Sequence, residues 1–292
     1  VQQVIAGIDG HYRFLDLPGP EAEIMPGIQW GAFEHILSPA FWVSQSWMQD
    51  DGSEIDFTLT QSLREEVITC LLGGHGAPAE VGLAASARVL DALASQGSGH
   101  LSQARLEALL LEPLTVKGRP VRYRFARQRA KYLAGALVGL DDIDEANLTD
   151  VELRDALCGL PGIGPKTASW IVRNRRASDE VAILDVHIIR ACEHMTVFPA
   201  GSDPARHYLD LESRFLEFCS AGSVRASVVD AVMWHTMRSM GRKLLASLID
   251  TPNCNGEALP LLSWGDQQCQ DQAATATVAI SAADPAVRAA AG

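Results

Sequence analysis

Leu160-Pro161-Gly162-Ile163-Gly164-Pro165-Lys166, followed by a short helical run and then Leu184-Asp185-Val186-His187, decides how the chain reads. Glycines at 162 and 164 permit positive φ and close backbone approach, so amide N–H groups can point at a phosphate. Pro165 suits the first position of a helix, where the missing N–H costs nothing. Lys166 then falls in the first helical turn, at the positive end of the dipole. A cation is disfavoured there, which favours the neutral amine, and a neutral amine is a nucleophile. Asp185 precedes a second helical run and reads as its N-cap, which holds the carboxylate in place.

The residues around this core extend the pattern. Thr149 caps a helix over 150–158, with Glu152 completing a capping box. The second arm of the hairpin spans 166–174. Further helices are expected at 79–93, 102–111, 125–140, 186–194, 203–219 and 224–240, and one capped by Thr60 through Leu72. Gly73-Gly74-His75-Gly76-Ala77-Pro78 interrupts the early helices, and Pro113, Gly118 and Pro120 mark a loop or short ribbon. Residues 31–48 carry three large aromatics, Phe41, Trp42 and Trp47. No long alternating run predicts a large sheet. The fold class is all-α, with two helical lobes that need not be consecutive in sequence.

The hairpin and Asp185 resemble the helix-hairpin-helix superfamily of base-excision DNA glycosylases. The run Ala182-Ile183-Leu184-Asp185-Val186-His187-Ile188-Ile189-Arg190 is most similar to that of the 8-oxoguanine glycosylases. The resemblance implies two lobes flanking an active cleft, with the hairpin on one rim. It implies that Lys166 attacks the anomeric carbon of a damaged nucleotide and Asp185 stabilises developing positive charge on the sugar. It also implies that His187 contacts backbone phosphate, and that the amides of Gly162, Gly164 and Lys166 hold another, with a monovalent cation as a bridge. The chemistry agrees: breaking an N-glycosidic bond builds oxocarbenium character that a carboxylate stabilises. The base must be flipped out to expose that bond.

Other positions carry further expectations. The resemblance places the Gly73–Pro78 loop against the base left unpaired, where relatives use asparagine and this chain offers His75 as a wedge. Trp170, one turn after Lys166, stands where eukaryotic relatives have a small thiol lining the base pocket. Phe41, Trp42 and Trp234 are further pocket candidates, with plain core packing as the alternative.

Composition bounds the rest. The 292 residues carry a net charge of −12, awkward for a DNA binder. Distribution matters more than the sum: no acid occurs between Glu112 and Asp141, a window holding Lys117, Arg119, Arg122, Arg124, Arg127, Arg129 and Lys131. Arg124 and Arg127 are the phosphate-contact candidates, with pairing to Asp141, Asp142, Asp144 or Glu145 expected for some of the others. The six cysteines, Cys70, Cys158, Cys192, Cys219, Cys254 and Cys269, have neither zinc nor iron–sulfur spacing. No metal site built from side chains and no organic cofactor is expected.

The domain reading is a helical unit over 1–252, with the hairpin motif at about 150–175, and a flexible low-complexity tail over 253–292. The expected activity is a bifunctional DNA glycosylase/AP lyase on double-stranded DNA containing a modified base, 8-oxoguanine first. A monomer is expected in the cytoplasm, nucleoid-associated in a prokaryote, with no membrane partner. Two rivals stand beside it. One is a glycosylase for an oxidised pyrimidine or a hypermodified phage base in a defence role. The other is a DNA clamp without chemistry.

Overall fold

The structure, a computed structural model, describes residues 1–8, 11–50, 56–74, 76–97 and 99–249, with backbone alone at 8 and 241–249. His75 and the 253–292 tail, including Cys254 and Cys269, lie outside the described residues. The chain forms two compact units. One combines residues 1–56 with those from Ala182 onward; the other is the continuous stretch Phe57–Val181.

The first unit opens with an antiparallel hairpin, β1 (Gln2–Ile8) and β2 (His11–Leu17), paired from Gln2↔Leu17 to Ile8↔His11. A smaller pair follows, β3 (Glu23–Met25) and β4 (Ile28–Gln29). The long hairpin corrects the expectation that no extended alternating run exists. Its sequence signal is Asp9-Gly10, a dipeptide suited to a two-residue turn between alternating strands. Helix α1 (Pro39–Gln49) starts at Ser38, whose side chain accepts from the Phe41 N–H.

The second unit is a helical bundle. It runs through α2 (Leu63–Leu72), α3 (Ala79–Gln96), α4 (Gln103–Leu111), the ribbon β5 (Leu114–Val116) and β6 (Arg119–Val121), and α5 (Ala126–Gly139). It ends with α6 (Asp150–Cys158) and α7 (Pro165–Arg176). The cap of α2 is Ser62 in a capping box with Glu65, not Thr60. Ser62 wins because an oxygen at the N-cap must reach the amide three residues on, and Glu65 stands there to reciprocate. Thr60 instead donates to the Glu66 carboxylate at 2.9 Å. Leu71, Leu133, Leu137, Leu157, Ile171 and Val172 are wholly buried in the core of this unit.

The chain then returns to the first unit with α8 (Val186–His194), α9 (Pro204–Ala221) and α10 (Ala226–Ile249). Trp42, Phe198, Phe215 and Phe218 fill its core. Helices dominate both units and the described strands occur only as two-stranded pairs, so the all-α class holds.

Candidate active site

The hairpin is built as its sequence dictates. The Thr149 side chain accepts from the Glu152 N–H, while Glu152 accepts from the Thr149 N–H at 2.8 Å, so α6 begins on a closed capping box. After Cys158 the chain turns through three bonds: Gly159 to Ala156, Leu160 to Leu157 and Ile163 to Leu160. Leu160 and Ile163 are buried in the core of the 57–181 unit and pin the turn from below.

The two glycines do different work. Gly162 has φ +80°, and a Cβ there would collide with the Tyr132 ring. Gly164 does not use that freedom: its φ is −101° and it serves as the N-cap of α7. A Cβ on Gly164 would meet nothing within 4 Å. Its bare backbone therefore faces open space and is free for a phosphate to approach, the geometry of an anion site at a helix N-terminus. Pro165 takes the first helical position and Lys166 follows, half-buried in the first turn.

Helix α7 is held at its far end. Arg175 pairs with Glu145 at 3.0 Å, and Arg176 pairs with Asp150 at 2.8 Å and bonds to the carbonyls of Leu148 and Glu145. Arg173 lies over the Phe57 ring, 4.4 Å from its centroid. These cations also complement the C-terminal end of the helix dipole. Inside, Asn174 donates to the buried Glu66 carboxylate at 2.8 Å. Trp170 is half-buried and its ring faces Gly73, the C-cap of α2, where an added methyl would meet it at 3.4 Å.

Asp185 sits in the other unit, as the N-cap of α8. Its Oδ1 accepts from the His187 N–H at 2.7 Å and the Ile188 N–H at 3.1 Å. One carboxylate oxygen thus serves the helix, and Oδ2 has no protein hydrogen bond among the described residues. The side chain is half-buried, as is that of His187. Sequence reasoning missed what holds the strand-like segment before it: Tyr208 and Glu212, on α9, hydrogen-bond to its backbone. No local pattern links α9 to that segment.

The remaining candidates fall in several places. Arg124 and Arg127 are exposed; Arg124 lies over Phe125 and Arg127 reaches Glu107 at 3.1 Å with most of its side chain in solvent. Lys117 pairs with Glu80. Some arginines were expected to pair with Asp141, Asp142, Asp144 or Glu145: Arg175 pairs with Glu145, while Asp141 is taken by Arg64 and His100. Trp42 is wholly buried in the first unit, with Phe41 edge-on to it at 5.0 Å. Trp234 is half-buried beneath Arg238. Burial pushes the thiols of Cys70 and Cys192 up, so neither is a ready nucleophile. Among the described residues no group of three or more metal-ligating side chains forms, and no helix is long and apolar enough to cross a membrane.

Two short helices joined by a Gly-Pro turn that presents main-chain amides and a lysine make a helix-hairpin-helix motif. The family model described as 8-oxoguanine DNA glycosylase matches residues 59–224, more than half of the chain. An 8-oxoguanine DNA glycosylase/AP lyase of Picrophilus torridus is 30% identical over 178 residues, covering 60% of this chain and 78% of that one. One of Metallosphaera sedula is 30% identical over 117 residues, 39% of this chain and 57% of that one. The crystal structure of the Methanocaldococcus jannaschii 8-oxoguanine DNA glycosylase aligns with a TM-score of 0.48 and 26% identity, over 61% of this chain and 78% of that one. The chain belongs to the 8-oxoguanine DNA glycosylase family.

Proposed function

We propose that the chain is a bifunctional DNA glycosylase/AP lyase that excises 8-oxoguanine from double-stranded DNA. The observation that carries the reading is Lys166 at the second position of α7, directly after a hairpin whose Gly164 backbone borders open space, in a chain of this family. The phosphate gripped by the hairpin sets the distance from backbone to lysine. With the base flipped out, the Lys166 amine attacks C1′ and the N-glycosidic bond breaks, its electron pair leaving with the base. The free oxygen of Asp185 stabilises positive charge as it builds on the sugar and accepts the proton that the attacking amine sheds. Ring opening yields a Schiff base. Loss of a C2′ proton then expels the 3′ phosphate and nicks the strand.

No redox or organic group is required for these steps. A monovalent cation at the hairpin would be held by main-chain carbonyls, since residues 159–166 include no acidic side chain. His187, Arg124 and Arg127 supply phosphate contacts, and Trp170, Phe41 and Trp234 are the pocket candidates; Trp42, wholly buried in the core of its unit, packs there instead. His75 is the candidate for the vacated stack. The protein acts as a monomer on double-stranded DNA in the cytoplasm. The test is borohydride trapping on a duplex with one 8-oxoguanine. A covalent protein–DNA adduct forms with the wild type and is lost in Lys166→Gln. Adduct formation only on a pyrimidine lesion moves the substrate assignment, and no adduct on any lesion ends the lyase reading.

A further inference from the structure

We propose that Tyr208 and Glu212 are positioning residues for excision, a buried polar clamp on α9 that sets where Asp185 stands. The inference rests on the reading of Asp185 above. The segment from Val181 to Leu184 is almost wholly buried, yet it lies in no helix or strand. Its backbone groups therefore have no ladder to satisfy them and need partners from elsewhere. Glu212 accepts from the Ala182 N–H at 2.9 Å. The Tyr208 hydroxyl donates to the Ala182 carbonyl at 2.7 Å and accepts from the Leu184 N–H at 3.2 Å. Asp185 then closes its own turn by donating from its N–H to the Ile183 carbonyl at 2.9 Å.

Tyr208 and Glu212 are one turn apart on one face of α9, so a single helix delivers both. The helix departs from helical geometry at His207 (φ −129°, ψ 33°), immediately before Tyr208, which sets both groups in the first turns of its straight portion. Both residues are buried, Tyr208 at 7% exposure and Glu212 at 4%. Taking a carboxylate that far from water is costly unless hydrogen bonds repay it. Apolar contacts would suffice to anchor a loop in bulk, whereas directional bonds to three backbone groups fix its path. The Asp185 carboxylate is itself rigidly attached to α8 through its cap bonds, so the lead-in and the cap together define its position. A displacement of about 1 Å in a reacting group is enough to cost roughly a hundredfold in rate.

The experiment is single-turnover excision from an 8-oxoguanine duplex, with duplex affinity and thermal unfolding measured on the same proteins. Tyr208→Phe removes one hydroxyl and should slow excision at least about tenfold while affinity changes less than about twofold. Glu212→Leu should do the same, and Glu212→Gln, which keeps an acceptor oxygen, should recover most of the rate lost in Glu212→Leu. In an Asp185→Asn background, Tyr208→Phe should add little, because the group it positions is already disabled. If Glu212→Leu does not fold, the single-hydroxyl variant and the double mutant carry the test. Tyr208→Phe with a wild-type rate, or with the same fractional loss in the Asp185→Asn background, overturns the clamp. A wild type that excises nothing ends the parent reading, and the clamp with it.

Discussion

The Trp170 ring faces Gly73: a methyl group on Gly73 would just reach it, 3.4 Å from the indole Cη2. This sets the lysine-bearing helix α7 beside the end of α2, where the Gly73–Pro78 loop starts. Gly82 on α3 closes the other side, since its Cβ would stand 3.0 Å from the Gly73 Cα. Truncating the ring leaves an unfilled space at this junction. Trp170→Ala should therefore cost about 2 kcal/mol in urea unfolding, below the usual figure for a fully buried aromatic because Trp170 is half-buried. Trp170→Phe should cost less, and an unchanged midpoint for Trp170→Ala would show that the ring bears no packing load.

The two hairpin glycines should separate fold from binding. Gly162→Ala forces a side chain into positive φ and into Tyr132, so it should destabilise by at least about 1–2 kcal/mol. Gly164→Ala has negative φ and open space, so stability should stay within about 0.5 kcal/mol. Its methyl would nevertheless stand where a phosphate approaches, and duplex affinity should fall roughly tenfold. Equal affinity in Gly164→Ala and wild type would remove that backbone from the DNA contact.

Asp185→Asn should preserve the fold, because an amide oxygen still caps α8. It loses the charge, so excision should slow by roughly a hundredfold or more while duplex binding is maintained. Circular dichroism melting and single-turnover rates on one preparation check both halves. A parallel loss of melting temperature would reassign the carboxylate to structure alone.

Glu66 should leave a signature in the pH dependence of stability. It is fully buried, and burial raises its pKa above the ordinary 4.5, opposed by hydrogen bonds from Asn174, Thr60 and the Leu59 backbone. A carboxyl raised on folding binds its proton more tightly in the native state. Its contribution is complete below about pH 4.5 and is lost as pH rises through the raised value. Asp141, exposed and lowered by Arg64 and His100, has the opposite sign and loses its contribution as pH falls. Glu66→Gln should flatten the decline in melting temperature as pH rises above about 4.5. Superimposable profiles would contradict this.

Arg124 and Arg127 are exposed, so alanine at either should weaken binding to any duplex and reduce the salt slope by about 1. Titrations at several salt concentrations decide it. An unchanged slope would take that residue off the phosphate path.

What the sequence made legible follows from the range of each interaction. The cap at Thr149 with Glu152, Pro165 at the first position of α7, and Asp185 at the head of α8 are local, each settled within four residues, and each was readable. The choice between Thr60 and Ser62 was also local, and the reciprocal Glu65 was the clue that favoured Ser62. The β1–β2 hairpin had a turn signal in Asp9-Gly10 that a search for helices passes over. Tyr208 and Glu212 were out of reach because their partners lie 26 and 30 residues away, and a buried tyrosine or glutamate has no pattern of its own. The differing conformations of Gly162 and Gly164 were likewise invisible, since glycine permits both.

The division of the chain has a consequence for its biosynthesis. The lysine-bearing unit is one unbroken stretch ending at Val181, so it is able to close as soon as that residue leaves the ribosome. The aspartate-bearing unit needs residues 1–56 to wait, through the synthesis of everything between, for the helices that begin after Ala182. A nascent chain halted near position 181 would thus hold a finished lysine-bearing half beside an N-terminal segment without its partner.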